Sequence, residues 1–409
     1  MTDGRRRQDL SDPVALLVNA MFAIIPFLKR VAAMLLRAVG YVAMSFVVVA
    51  AVACAIEVAA RLYVAVRTAG AVPAITAPRV GPAQNMALYR GIFPDLLPEQ
   101  ITALFSVAYR QVYAPWVGFR TDDITSPLVN VRGFVRATIP DRSVPNREPI
   151  EVAFFGGSTV QGTHVPDDRT VPASFVRAAE ADGTPVRVVN YGQPYYYSKQ
   201  EAHLFLSLAM DGKVPRVAVF LNGLNDFILP GASYTGKPVF NDAFGWLIAQ
   251  ANKDAWRRAL VETTAGQLIA GKLGITPPPV PGAEFAPPPH VDPQILYRTI
   301  ASSYVGNARM LTTACRAYGV ICLFVLQPVP FLNYDRRADR IVDQRDFPGF
   351  AIGYPAIKAA LESEPWFFSL DHVFTKPAEL PYVDAIHYSP YGAGVLGDLI
   401  YRKMVGLTR

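Results

Sequence analysis

Apolar positions along this chain follow two patterns that change character near residue 150. Before that point a single run dominates. Ala38–Ile56 (AVGYVAMSFVVVAAVACAI) carries no charge and is long enough to cross a hydrocarbon core of about 30 Å as a helix. After it come short runs at Ile150–Phe155, Val186–Asn190, Arg216–Leu221 and Val320–Leu326, with a fifth at Trp366–Leu370. They are rich in β-branched and aromatic residues and bounded by Gly, Pro or Asn, the pattern of parallel strands buried on both faces. Helical spacing fills the intervals at Val171–Ala181, Lys199–Met210 and Ser302–Tyr318. Ser389-Pro390 reads as an N-cap with Pro at the first helical position, opening a helix through about Met404. Strands alternating with helices predict a three-layer α/β/α sandwich around a mainly parallel five-stranded sheet over 149–409, preceded by an N-terminal transmembrane helix. Functional groups in such sheets gather at the carboxyl ends of the strands.

The remaining chain divides by composition into an N-terminal cytoplasmic or interfacial segment (1–37), the membrane helix (38–60), an Ala/Pro/Gly-rich linker (61–90) and a loop-rich lead-in (91–148). An insertion spans 231–295, with a Pro-rich stretch at 276–293. Val14–Leu28 holds Asn19 and Pro26 and reads as a separate helix in the inner interface. The alternative is a two-span hairpin, which would put the basic Lys29–Arg37 linker on the wrong side. A cleaved signal peptide fits poorly, because the apolar run starts late and no small-residue cleavage site follows it.

Charge sets the orientation. Arg5, Arg6, Arg7, Lys29, Arg30 and Arg37 precede the span, against Asp3, Asp9 and Asp12. The N-terminus is therefore expected inside a cytoplasmic membrane, with everything after about residue 60 outside. What remains of the net charge of +6 is small and diffuse, so nucleic acid is not an expected partner. With 51% hydrophobic and 18% charged residues, the chain is too apolar to be largely disordered. Cys54 sits in the membrane helix as a small apolar residue. Cys315 and Cys322 could pair across a helix–strand turn in an oxidising compartment, or remain two buried thiols; both readings stay open.

Candidate chemistry lies where the strands end. Gly156-Gly157-Ser158-Thr159 places a serine on a tight turn with backbone N–H groups free to face a ligand, although taken alone a Gly-Gly-Ser run is more often simply a turn. It is not the G-x-S-x-G elbow, since Val160 stands where Gly would be required. Asp384-Ala385-Ile386-His387 lets a carboxylate hold one imidazole nitrogen while the other faces outward, as a serine nucleophile's base requires. A structural Asp–His hydrogen bond explains that motif in isolation equally well. Asn190-Tyr191-Gly192 and Asn222-Gly223-Leu224-Asn225-Asp226 end the next two strands and offer donors for an oxyanion. Asn222 competes with Asn225 for that role. Asp226 reads as a turn or capping residue, His164 as a polar loop residue, and Tyr195, Tyr196 and Tyr197 as packing against the sheet, with sugar stacking as the alternative. Glu57 and Arg61 are spaced to pair on the membrane helix.

Taken in order, these four blocks resemble those of the SGNH (GDSL-type) hydrolases over residues 150–404, and Tyr113–Arg136 is similar to the segment preceding the first block in exported bacterial members. The resemblance implies a flavodoxin-like SGNH hydrolase fold with Ser158 as nucleophile, Asp384 and His387 completing the triad, and Ser158, Gly192 and Asn225 forming the oxyanion hole. The first block departs from G-D-S-L, with Gly157 for Asp and Thr159 for Leu, which weakens assignment to a subfamily. An ester hydrolase of this kind needs no metal or organic cofactor. Location and resemblance together imply acetyl or short-acyl esters on cell-envelope or exported polysaccharide, or another small ester, as substrate. An O-acyltransferase using the same site with a sugar hydroxyl as acceptor is the alternative, and a polysaccharide-binding or assembly protein with a relict site is a third.

Overall fold

The computed structural model describes residues 13–68, 81–139, 148–236, 287–288, 291–336, 341–342 and 346–408. They fall into two compact units. The described part of the first is one helix, α1 (Pro13–Thr68). At 56 residues it is about 84 Å long at 1.5 Å per residue. Its segment Lys29–Ala59 has a mean hydropathy of 2.4 and buries none of its most apolar stretch; Tyr41, Phe46 and Val49 all stand exposed. It is long and apolar enough to cross a membrane. Two expectations change here. Val14–Leu28 is not a separate helix, because Lys29–Arg37 (KRVAAMLLR) holds neither Gly nor Pro and consists largely of good helix formers. The linker does not begin at 61, because the helix runs on to Thr68. Of the proposed Glu57–Arg61 pair, the Arg61 side chain lies outside the described residues.

The second unit opens with α2 (Met86–Ile92), capped by Asn85, and α3 (Pro98–Ser106). A hairpin follows, β1 (Gln111–Ala114) and β2 (Gly118–Thr121), then β3 (Ile124–Thr125), β4 (Asn130–Arg132) and β5 (Val135–Arg136). Residues 86–90 are thus helix rather than linker, and the lead-in has regular structure and a core of its own. Tyr89, Phe93, Ile101 and Leu104 pack there with Val129, Val165 and Val383.

The main fold then runs β6 (Ile150–Gly156), α4 (Ser158–Gln161), α5 (Val171–Ala181), β7 (Val186–Asn190), α6 (Ser198–Met210), β8 (Val217–Asn222), α7 (Leu224–Ile228) and α8 (Pro230–Thr235). After the gap in the described residues come α9 (Pro293–Ala317), β9 (Ile321–Leu326), α10 (Pro348–Leu361), β10 (Phe367–Ser369) and α11 (Pro390–Thr408). Most of the 231–295 insertion lies outside the described residues.

The five expected strands are parallel, in the order β10-β9-β8-β6-β7. The sheet nonetheless has eight strands, because β5 pairs antiparallel with β7 at Arg136 and Asn190, and β4 and β3 follow outward. The lead-in so satisfies backbone groups that β7 would otherwise leave open at an edge. Side chains of β6 alternate between two cores, which is why its sequence is nearly all apolar. Val152 and Phe154 face α5 and α11, while Ala153 and Phe155 face α6, α9 and α10. Cys315 at the end of α9 and Cys322 in β9 form a disulfide with their Cα atoms 6.1 Å apart, which decides between the two readings of that pair. Chain direction around the sheet reverses at β6, whose sequence successors β7 and β8 lie on opposite sides of it. That switch point is where an open parallel sheet leaves a crevice at its carboxyl edge.

Candidate functional site

Ser158 stands at that edge as the first residue of α4, after Gly157 in extended backbone. The first N–H groups of a helix have no partner within it, so the Ser158 N–H points outward by construction. Gly162, in left-handed backbone, ends α4 after one turn. His387 comes from the far end of the chain, in the loop closed by the Tyr382–Tyr388 bridge just before α11. Its Nε2 lies 2.8 Å from Ser158 Oγ, and its Nδ1 lies 2.6 Å from Asp384 Oδ2. A carboxylate only accepts hydrogen bonds, so His387 Nδ1 carries the proton and Nε2 presents its lone pair to the serine hydroxyl. Asp384 Oδ1 also accepts from the backbone N–H of Ile386 (2.9 Å) and of His387 (2.8 Å). Burial pushes the Asp384 carboxyl up, but electrostatic attraction to His387 and the hydrogen bonds from His164 and His387 outweigh it. The net result holds Asp384 well below the usual carboxylate range.

His164, which the sequence offers only as a polar loop residue, is placed at the site by the fold. Its Nδ1 lies 2.7 Å from the same Asp384 Oδ2, so it is not merely a polar loop residue. His164, Asp384 and His387 bring ligand-type atoms within 4.8 Å of one another, and a divalent cation would find its donors here. Both Nδ1 atoms are engaged with Oδ2 at hydrogen-bond distance, so metal binding would first have to displace those protons.

The two oxyanion candidates fare differently. Asn225 reaches the site through Gly223, which turns the chain in left-handed backbone (φ 107°) at the start of α7. Its Nδ2 lies over Gly157, where an added Cβ would sit only 2.4 Å away. One Nδ2 hydrogen is donated to Tyr196 O (2.6 Å), leaving the second for a ligand. The Gly192 N–H, by contrast, donates to Asn190 Oδ1 (2.9 Å) and is not free in this arrangement. The glycine has another reason to be there. A Cβ on it would meet Gln161 N at 2.2 Å and Val160 C at 2.7 Å, so only Gly lets β7's end approach α4 this closely. Asn190 clamps the same contact, donating from Nδ2 to Val160 O (2.9 Å).

Asn222 is committed elsewhere. It donates to Glu201 Oε2 and accepts from the Tyr304 hydroxyl, each at 2.6 Å. Asp226 accepts from the Ser198 hydroxyl (2.6 Å) and backbone N–H at the start of α6, a capping role. Tyr196 and Tyr197 are core residues, and Tyr196 donates its hydroxyl proton to Phe119 O.

Glu201 and Asp226 form a buried acidic pair behind the site. Burial, reinforced by the Asp226 charge, raises Glu201 well above the carboxylate range. Burial likewise pushes Asp226 up to about 6. A raised carboxyl makes the folded state bind its proton more tightly than the unfolded chain does. Its contribution is fully present below the unfolded value and lost as pH rises through about 6. Asp226→Asn keeps an acceptor for Ser198 and removes the charge. Thermal unfolding of both proteins at pH 5 and pH 7.5 checks this: the variant should gain relative to wild type at the higher pH, and an equal difference at both would count against the buried charge.

No family model matches the sequence, and no curated protein matches it significantly. Among solved structures, the chain matches a lipase/acylhydrolase from Enterococcus faecalis at 16% identity and a TM-score of 0.36, covering 63% of this chain and 96% of that one. It matches the psychrotrophic esterase EstA from Pseudoalteromonas sp. at 8% identity and 0.36, covering 63% and 98%. An acetyl xylan esterase, AlAXEase, matches at 13% and 0.34, covering 64% and 100%. At these identities and TM-scores the likeness carries no functional argument.

Proposed function

We propose that this protein is a membrane-anchored serine ester hydrolase of the SGNH type that its four sequence blocks resemble, with Ser158 as nucleophile. The observation that carries this is the continuous chain from Ser158 Oγ through His387 to Asp384, at 2.8 and 2.6 Å, set at the sheet's switch point. His387 Nε2 takes the hydroxyl proton as Ser158 Oγ attacks an acyl carbonyl. Asp384, kept ionised, stabilises the imidazolium that results. The negative oxygen of the tetrahedral intermediate is met by the Ser158 N–H and the second Asn225 amide hydrogen. Gly192 joins them only if its N–H exchanges Asn190 Oδ1 for the oxyanion. His387 then protonates the leaving alcohol, and water, activated by the same imidazole, releases the acid.

The apolar helix α1 supports anchoring. The basic residues before the span and the Cys315–Cys322 disulfide support a site outside the cytoplasmic membrane, where such bonds persist. In that setting the substrate is an acetyl or short-acyl ester on envelope or exported polysaccharide. Incubating the full-length protein in detergent with an acetylated oligosaccharide tests this. Acetate release that depends on Ser158 is the expected result; transfer to an added oligosaccharide without release would make it an acyltransferase instead, and the absence of both release and transfer would refute the proposal.

A further inference from the structure

Asp384 is held by two imidazoles. Oδ2 takes one hydrogen bond from His387 Nδ1 (2.6 Å) and another from His164 Nδ1 (2.7 Å), while Oδ1 takes two from backbone N–H groups. A carboxylate has about four acceptor sites, and here all are filled. Only a protonated Nδ1 can donate to it, so the tautomer of His164 is fixed in the same way as that of His387. The two rings meet nearly perpendicular, with centroids 5.7 Å apart.

His164 is itself held by its backbone and its neighbours. It sits in left-handed backbone (φ 65°), a conformation uncommon for a residue with a side chain. Its ring stacks on Phe105 of α3 at 4.3 Å, and Phe105 packs edge-on against Tyr89 of α2. Tyr89 in turn donates its hydroxyl proton to Val383 O, next to Asp384. Arg136, fully buried, donates to the carbonyls of Gly162 (3.3 Å) and Val165 (2.9 Å), bracketing His164. The lead-in helices and β5 therefore buttress one imidazole against one carboxylate.

We infer that His164 is a positioning residue for the triad: its Nδ1–H, fixed by the lead-in segment, holds Asp384 Oδ2 in register with His387. The inference rests on the triad proposed above. His164 touches neither Ser158 nor a substrate in this scheme; it acts by keeping the carboxylate from turning away as His387 becomes charged. Without it, Oδ2 loses a donor, and the His387 imidazolium loses a fixed counter-charge in the transition state.

Two substitutions separate this role from a structural one. His164→Phe keeps a ring to stack on Phe105 and removes the donor. His164→Asn suits the left-handed backbone and places an amide N–H where Nδ1 stood. With p-nitrophenyl acetate and the full-length protein in detergent, His164→Phe should lower kcat roughly tenfold to a hundredfold, the worth of one hydrogen bond to a charged group. KM should stay within about twofold, because a group acting only in the transition state leaves it unchanged. His164→Asn should return most of the lost rate. A His164→Phe rate within twofold of wild type, or a His164→Asn enzyme as slow as the Phe variant, overturns the inference. If the Phe variant does not fold, a His164→Asn rate below a tenth of wild type overturns it alone. Ser158→Ala distinguishes the underlying scheme: activity persisting there refutes the triad itself, whereas its loss beside a fully active His164→Phe refutes only the role of His164.

Discussion

Replacing His387 by Ala is expected to lower kcat for a short acyl ester by about 10⁴- to 10⁶-fold, with little change in KM. Among the described residues, the imidazole of His387 is the base in place to take the proton from Ser158 Oγ, at 2.8 Å. A neutral serine hydroxyl is a poor nucleophile, and without the base it would have to attack while still holding its proton. The loss falls on kcat because the imidazole contributes in the transition state, not in holding the ester. Steady-state kinetics of purified wild type and variant check this, with thermal unfolding to confirm that the variant is folded. A drop smaller than tenfold in a folded variant would assign the hydrolysis to another site.

The second large effect is expected from Gly192→Ala. A methyl group there would lie 2.2 Å from Gln161 N and 2.8 Å from Gln161 Cα, and backbone cannot swing aside as a side chain can. Overpacking of this kind costs about 1–3 kcal/mol, occasionally more. The element that must move is α4, which carries Ser158 at its first position. A displacement approaching 1 Å at a reacting group can cost about a hundredfold in rate. Gly192→Ala should therefore lose both stability and kcat, although its N–H remains available. An oxyanion role for that N–H without a packing role gives the opposite result, since alanine donates as well as glycine. Melting temperature and kcat measured together decide between them, and an Ala variant with wild-type values for both would contradict the packing constraint.

The parallel core was legible because burial on both faces leaves β6, β8 and β9 almost without polar residues. The three added strands were not, because Ile124–Thr125, Asn130–Arg132 and Val135–Arg136 are too short to show a period and mostly polar. Helix α10 was hidden by Gly353 and Pro355 within it, both of which read as helix breakers. Ser158, Asp384 and His387 could be found because each belongs to a local motif at a strand end or helix entrance. His164 belongs to none. Its partner lies 220 residues away, and the ring stack that holds it comes from a lead-in helix, so only the folded chain brings the two together. Gly192 was found for a donor role, while the structure adds a steric one that no single sequence could show. Asn190 looked like part of the same block and proves to be the residue that ties β7 to α4.

The most direct test of Ser158 as an activated nucleophile is covalent labelling by a fluorophosphonate probe, followed by mass analysis of the modified peptide. Wild-type protein should be labelled on Ser158, slowly in His387→Ala and not at all in Ser158→Ala. Folded wild-type protein that takes up no label, or a label found on another residue, would contradict the proposed chemistry.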